Sequence, residues 1–140
     1  MNRNVLISGI LLVAAFAGMV DSTYVTLHSS QGFVIPCGFA GGCDQVLNSP
    51  YSKIFEIPIS WLGLGFYVTV AATSLFALFG FEKTLRLSFA AAVPAFAFSV
   101  YLVCVQAYVL RAFCDYCLLS AILVTLILGL HLWGKPWVAK

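Results

Sequence analysis

The segment CDYCLLSAILVTLILGLHLW, residues 114–133, places two cysteines three residues apart at the start of a long apolar run. Cysteines at positions i and i+3 on one helix face can close a disulfide and open it again, and this spacing is typical of thiol–disulfide enzymes. The apolar run that follows is about long enough for a helix to cross a bilayer. The segment therefore predicts redox chemistry at a point where a membrane helix meets water.

Composition indicates that the whole chain belongs in a membrane. Of its 140 residues, 62% are hydrophobic and 9% are charged, and the mean hydropathy is +1.03. A soluble domain of this size exposes too much of its surface to bury so large an apolar fraction. The net charge of +2 gives no indication of nucleic-acid binding.

Four apolar stretches predict four spanning helices, at residues 5–27, 59–80, 87–110 and 115–133. Pro94 predicts a kink in the third of them. We expect an all-α fold: a single domain over residues 1–140, built as an integral membrane four-helix bundle with an outer loop over residues 28–58. The alternative for the first stretch is a cleaved signal peptide, but the apolar run continues past Asp21, which makes it longer than a usual signal core.

The basic residues predict the orientation of the bundle. If both termini are cytoplasmic, five basic residues lie inside and two lie outside: Arg3, Lys83, Arg86, Lys135 and Lys140 against Lys53 and Arg111. This arrangement puts the cysteine pairs on the periplasmic or extracytoplasmic side of the cell (inner, plasma) membrane, for which a bacterial or archaeal cell is the expected setting. Disulfides persist on that side.

A second pair of cysteines, Cys37 and Cys43, lies in the outer loop with Gly38, Gly41 and Gly42 between them. Glycines let a short loop close on itself and move. On its own this loop pair (Cys37 and Cys43) favours a structural clip. Next to an outward-facing CxxC pair (Cys114 and Cys117), it favours a partner in disulfide exchange.

The CxxC pair has its own alternatives. A helix beginning near Cys114 would favour a thiolate there, and the thiolate is the attacking species in exchange. The other readings are an inert disulfide or two unreactive core thiols, although a bridge between i and i+3 closes too short a loop to stabilise much. A zinc site formed by both pairs is disfavoured by the five-residue spacer in the loop pair, and no metal is expected.

Four further residues have polar or reactive side chains. Cys104 lies about 15 Å deeper than Cys114 along the third helix, beyond disulfide reach, and is predicted to be a buried, unreactive thiol. We expect His28 and His131 near the two membrane interfaces. Asp21 lies inside the first span, where ionisable groups are functional candidates; the alternative is that it reaches water or a neighbouring hydroxyl near the helix end.

Aromatic residues are frequent near the CxxC pair. An electron acceptor for a membrane dithiol must be lipid-soluble, flat and close to the sulfur, so an aromatic pocket beneath Cys117 would suit a quinone. The candidate quinone-contacting residues are Trp61, Phe66, Tyr67, Phe113 and Tyr116.

Over nearly its whole length, the chain resembles the vitamin K epoxide reductase family, in particular its bacterial disulfide-forming members. The order of the pairs, loop pair first and CxxC pair at the fourth helix, is the specific part of the resemblance. The matching segments are Cys37, the run CDQVLNSPYS at 43–52, the run IPIS at 57–60, Gly63, Tyr67, Tyr101, Gln106 and the run FCDYC at 113–117.

The resemblance implies an electron relay and a short amphipathic helix after Cys43. In this relay a quinone (ubiquinone or menaquinone) oxidises the CxxC pair, with Cys117 as the sulfur that faces the quinone. Cys114 exchanges with Cys43, which regenerates a Cys37–Cys43 disulfide. Cys37 then oxidises a thioredoxin-like, DsbA-type protein that forms disulfides in exported proteins. Because no thioredoxin-like domain follows the fourth span in this chain, we expect that partner in trans.

The resemblance also departs from the animal enzymes. Ile59 and Ala121 align with the asparagine and the tyrosine that hold vitamin K there, and neither side chain can hydrogen-bond a quinone carbonyl. This favours plain quinone reduction over reduction of vitamin K epoxide. Two alternatives remain: a reductase that acts for the sake of the quinone or its epoxide, and a non-catalytic membrane protein with structural disulfides.

Overall fold

The computed structural model describes residues 2–31, 41, 50, 53–54 and 57–135. The described part of the chain forms four long helices: α1 (Arg3–Gln31), α2 (Ile59–Leu78), α3 (Leu85–Cys104) and α4 (Asp115–Gly134). A 3-10 turn (Glu82–Thr84) leads into α3, and a π-helical turn (Val105–Leu110) continues it. Most of the described chain is therefore helical, as the apolar stretches predict.

Much of the predicted outer loop falls outside the described residues, including Cys37, Cys43 and the expected amphipathic helix. The described part of the loop contains two short antiparallel strands, β1 (Lys53–Ile54) and β2 (Ile57–Pro58), in which Ile54 pairs with Ile57. Pro58 closes β2 and caps α2 with a φ of −58°. Because proline lacks an N–H and has a fixed φ, it is well suited to the start of a helix.

The surface of the bundle is suited to lipid. Each of the four helical segments is long and apolar enough to cross a membrane, with mean hydropathies from 1.6 to 2.1. All four helices leave large apolar side chains exposed, among them Val13, Val20, Phe76, Leu87, Ile122 and Trp133. In lipid such a surface is favourable, and helices satisfy their own backbone groups there. The predicted integral membrane four-helix bundle is confirmed.

The centre of the bundle is the contact between α1 and α2, which pack most closely. Leu11, Ala15, Tyr67 and Val70 are completely buried in it. Gly18 lies directly against the Tyr67 ring, where a Cβ atom would overlap the ring atoms. Small residues at such a contact let two membrane helices approach closely, so Gly18 makes room for the one large aromatic ring at the centre of the bundle.

Hydrogen bonds join three segments at one end of the bundle. The Arg3 guanidinium donates to the Gly134 carbonyl (3.4 Å), and the Asn4 amide donates to the Glu82 carboxylate (3.0 Å). The start of α1, the connection between α2 and α3 and the end of α4 therefore meet at this end. The opposite end contains the end of α1, the start of α2, the π-helical turn and the start of α4. The CxxC pair lies at this second end.

His131 lies in the last turn of α4, and its position relative to the membrane interface stays a prediction. Its side chain is completely buried, and its Nε2 and the Ser88 hydroxyl lie 2.9 Å apart in a hydrogen bond between α4 and α3. A polar group inside a membrane bundle needs such a partner, because neither lipid nor water is available to it. His28, at the other end, makes a hydrogen bond with the carbonyl of Tyr24 (3.0 Å).

Cys104 is exposed at the end of α3, not buried as predicted. The buried positions of α3 are Leu85, Ser88 and Ala92, which follow helical spacing in its first half. The second half of α3 has half-buried and exposed residues, and Cys104 is one of the exposed ones. The helix continues through Pro94, and its hydrogen bonding becomes π-helical from Val105.

Candidate functional site

The CxxC pair forms the start of α4. Cys114 is the N-cap residue in an extended conformation (φ −107°, ψ 124°), and Cys117 lies in the first turn. Both are free cysteines; Cys114 is completely buried and Cys117 is half-buried. Around Cys114 pack Leu110, Ala112, Tyr116 and Cys117. The sulfur of Cys114 is therefore enclosed by mostly apolar groups at the N-terminal end of α4.

Gln106 organises the four-residue connection between the π-helical turn and α4. Its backbone carbonyl accepts hydrogen bonds from the N–H groups of Arg111 and Ala112, the second at 3.1 Å. Its side-chain Oε1 accepts a hydrogen bond from the N–H of Cys114 at 3.0 Å. The side chain is 2% exposed. Arg111 takes a left-handed conformation (φ 51°), which turns the chain sharply toward Cys114. Gln106 thus fixes the backbone that leads into the CxxC pair.

The pKa of the Cys114 thiol is lower than its ordinary value. The largest cause is a hydrogen bond from the Cys117 thiol to the Cys114 sulfur, and burial opposes it by raising the pKa. The backbone N–H groups of Cys117 and Tyr116 lower the pKa of Cys114 further. They point toward the Cys114 sulfur, but the geometry falls short of a side-chain capping hydrogen bond. The charge of Asp21 acts in the other direction and raises it. Cys114 is therefore the sulfur that more readily becomes a thiolate, as a helix start predicts.

A group of polar side chains from three helices lies below the CxxC pair. The Tyr67 hydroxyl on α2 hydrogen-bonds the hydroxyl of Ser120 (2.7 Å) and donates to its carbonyl (3.2 Å). Ser120 lies one turn after Cys117 on α4. Asp21 on α1 is buried, with 8% of its surface exposed, and among the described residues its Oδ1 has no hydrogen-bond partner. It lies within electrostatic range of Tyr67 and of both cysteines.

The five aromatic candidates occupy different surroundings. Tyr116 packs against Cys114, and its ring centroid lies 5.2 Å from that of Tyr24. Phe66 and Tyr67 form an edge-to-face pair at 5.2 Å within the main core. Trp61 and Phe113 lie at the surface, with 53% and 38% of their areas exposed. Of these five residues, Tyr116 packs against Cys114 of the CxxC pair. Contact of the five residues with a quinone stays a prediction.

Two residues of the site had no predicted role. Gln106 was noted only as part of the family resemblance, and Ser120 was not noted. Both are polar residues within apolar runs, and a polar side chain at membrane depth needs an internal partner. That signal could have marked them, but the sequence alone does not say that their partners are Cys114 and Tyr67.

The site and the fold together define a multi-pass membrane protein with a cysteine pair suited to thiol–disulfide exchange. Residues 9–132 match the Vitamin K epoxide reductase family, and the chain belongs to that family. It is 31% identical over 123 residues to thiol-disulfide oxidoreductase LTO1 of Arabidopsis thaliana. That similarity covers 75% of this chain and 30% of the relative's length. The predicted family membership is confirmed, and it supports a thiol–disulfide redox role.

Replacing Cys117 with alanine is expected to raise the pKa of Cys114. The substitution removes the hydrogen bond that lowers this pKa most and leaves the opposing effect of burial in place. Because alkylation consumes the thiolate, its rate at a fixed pH below the pKa should fall, and the midpoint of its pH profile should move to higher pH. The measurement is iodoacetamide labelling of Cys114, read by peptide mass spectrometry. Cys104→Ala is the matched control and should leave the Cys114 profile in place; an unchanged profile in Cys117→Ala would contradict the assigned hydrogen bond.

Replacing Gln106 with leucine is expected to lower the free energy of unfolding by about 1–3 kcal/mol, because the buried N–H of Cys114 loses its acceptor. Gln106→Glu keeps an acceptor oxygen at the same distance along the side chain and should restore most of the loss. Unfolding in detergent, followed by circular dichroism, measures both variants. If the leucine variant is as stable as the original protein, the hydrogen bond does not hold the start of α4.

Proposed function

We propose that this protein is a quinone-dependent thiol–disulfide oxidoreductase that generates disulfides for exported proteins. The observation that carries the proposal is the CxxC pair at the start of α4, with Cys114 fixed through its backbone by Gln106 and its pKa lowered by Cys117. Membership of the vitamin K epoxide reductase family supports the same chemistry. The relative's name, thiol-disulfide oxidoreductase, agrees with it.

In the proposed relay, electrons pass in one direction through four cysteine sulfurs, from the loop pair to the CxxC pair. A thioredoxin-like, DsbA-type partner on the extracytoplasmic side gives its electrons to the loop pair, and Cys43 then attacks the Cys114–Cys117 disulfide at Cys114. Cys37 next attacks Cys43 in the mixed disulfide, so that the loop disulfide forms again and Cys114 leaves as a thiolate. In the last step the two CxxC thiols become a disulfide, and two electrons and two protons pass to a quinone, the electron-accepting substrate.

Two properties of Cys114 favour this order. A thiol with a lower pKa leaves faster from a mixed disulfide, so the pKa of Cys114 favours its release by Cys37. The Cys114 sulfur is also enclosed, and a folded partner in solution has little access to it. Transfer through a second cysteine of the same chain removes that difficulty. The loop pair is the candidate for this role from its position in the sequence.

The surroundings of the CxxC pair are compatible with a quinone. A quinone is flat and apolar apart from two carbonyl oxygens, and it reaches the protein through lipid. Leu110 and Tyr116 supply apolar surface beside the pair, and Cys117 is half-buried at the same place. Buried polar groups on three helices lie close by. Ile59 and Ala121 align with the asparagine and the tyrosine that hold vitamin K in the animal enzymes. Because neither side chain can hydrogen-bond a quinone carbonyl, these positions favour plain quinone reduction over reduction of vitamin K epoxide.

The charge distribution supports an orientation with both termini cytoplasmic. Arg3, Lys83, Arg86 and Lys135 belong to the end of the bundle at which Arg3 meets Gly134, whereas Arg111 lies next to the CxxC pair. The positive-inside rule then places the pair on the extracytoplasmic side of the cell membrane. Disulfides are stable there, so the proposed products would persist.

Quinone reduction by the purified protein tests the proposal directly. We expect a reduced thioredoxin-like substrate and a soluble ubiquinone or menaquinone analogue to react, measured as loss of quinone absorbance. Cys114→Ala and Cys117→Ala should reduce turnover to background because either one removes half of the reacting dithiol. Cys104→Ala, an exposed cysteine on α3, should leave turnover nearly unchanged. A folded protein without quinone reduction would refute quinone dependence, and turnover that survives both active-site substitutions would refute the assigned pair.

The order of the relay has a separate test. In Cys37→Ala the second attack cannot occur, so Cys43 is expected to remain joined to Cys114 as a mixed disulfide. Non-reducing peptide mapping by mass spectrometry should find that cross-link, and the double variant Cys37→Ala, Cys114→Ala should lack it. A cross-link from Cys43 to Cys117 instead would reverse the assignment of the two CxxC sulfurs.

A further inference from the structure

Asp21 is a buried carboxyl whose Oδ1 has no hydrogen-bond partner among the described residues. It lies on α1 inside the first spanning segment, and 8% of its surface is exposed. Within the described ranges its Oδ1 is enclosed and without a hydrogen bond, and no basic side chain pairs with it there. The hydroxyl of Thr26, on the same helix, donates to the Ser22 carbonyl.

The unbonded Oδ1 of Asp21 contrasts with two other polar pairs in the bundle. Tyr67 is bonded to Ser120, and Ser88 to His131, each pair across two helices. An unpaired carboxylate is costly to bury, which makes such a carboxyl a natural carrier of a proton. Ionisable groups at membrane depth are rare and are functional candidates by default, so this unpaired carboxyl indicates a use.

The position of Asp21 suggests what that use is. The titratable groups within its electrostatic range come from the elements packed against α1: Tyr67 on α2, and Cys114 and Cys117 at the start of α4. Tyr116 lies within electrostatic range of Cys114 and of Asp115 at the start of α4. Among the described residues, Asp21 is thus a buried carboxyl of α1 within electrostatic range of both sulfurs.

We propose that Asp21 carries protons between the CxxC pair and the electron acceptor. The proposal rests on the proposed function, because that reaction has protons to move. When the Cys114–Cys117 bond forms, two S–H bonds break, two electrons pass to the quinone, and each quinone oxygen gains a proton. Asp21 donates its proton to one of these oxygens and takes one back from one thiol of the pair, so that it is protonated again after one turnover. The proton of the other thiol passes to the second quinone oxygen.

This role fits the closed surroundings of the pair. Cys114 is completely buried, and the helices around it expose apolar side chains to lipid. Within the described part of the chain, the Cys114 sulfur therefore has little direct access to bulk water, and a protein group beside it can carry its proton. Proton transfer by a positioned side chain contributes about 10²–10⁴-fold to a rate.

Three variants test the proposal. Asp21→Asn keeps the shape and polarity of the side chain but cannot carry a proton, and we expect it to slow quinone reduction about 10²-fold or more. Asp21→Glu keeps the carboxyl and should retain most of the turnover. Ser74→Ala is the matched control: the Ser74 hydroxyl is also buried on α2 and has no partner among the described residues. It should leave turnover nearly unchanged. An asparagine variant that turns over at the original rate would overturn the proposal.

A spectroscopic measurement separates this proposal from the quinone proposal. The infrared difference spectrum between the reduced dithiol and the oxidised disulfide, recorded without quinone, should contain a carboxyl C=O band that Asp21→Asn removes. If turnover falls in Asp21→Asn but the original protein lacks that band, Asp21 is structural and the proton role is wrong. If the original protein fails to reduce any quinone while the band is present, the quinone assignment fails and the coupling of Asp21 to the dithiol stands.

Discussion

The geometry of the redox pair depends on the way one glutamine closes the connection between α3 and α4. A membrane helix satisfies its own backbone, but every turn between helices leaves N–H and C=O groups that need other partners. At this corner the partners come from Gln106, whose backbone and side-chain carbonyls together accept hydrogen bonds from Arg111, Ala112 and Cys114. The backbone is therefore held at Cys114, the first residue of the CxxC pair.

The π-helical turn follows from the same requirement. A π-helical turn inserts a residue into helical hydrogen bonding and often occurs at functional sites. Here it runs from Val105 to Leu110 and ends at Arg111 in the left-handed region. It brings Gln106 close enough to α4 for its side chain to reach Cys114, eight residues later. The irregular turn and the ordered start of α4 are one structural unit.

The spanning helices were predictable from sequence because hydropathy over about 20 residues is a strong signal. The ends of these helices were less predictable from the sequence: α1 extends from Arg3 to Gln31, beyond the apolar run at 5–27. Hydropathy marks where a helix meets lipid, whereas the hydrogen bonds of the helix continue into the polar region. The CxxC spacing likewise predicted a cysteine pair at the start of the last helix, and Cys114 and Cys117 are there.

Side-chain positions around the bundle were much less predictable. Each helix is apolar on all its faces, so no periodicity separates the lipid side from the core. This is why Cys104 was expected inside and lies outside, and why the burial of His131 against Ser88 was not predicted. Pro94 marked α3 as the irregular helix, but the irregular hydrogen bonding begins eleven residues later, where no proline or glycine signals it.

The buried polar groups of this bundle fall into two classes: those with a hydrogen-bond partner on another helix and those without one among the described residues. Ser88 with His131 and Tyr67 with Ser120 tie helices together, and each bond makes both members unavailable for other chemistry. Asp21 lies at a comparable depth without such a bond and near the CxxC pair. A dithiol that forms a disulfide releases protons as well as electrons, and the buried Cys114 has little solvent to take its proton. Because the Oδ1 of Asp21 makes no hydrogen bond to another helix within the described residues, this carboxyl is available for the proton transfer that the chemistry of the sulfurs requires.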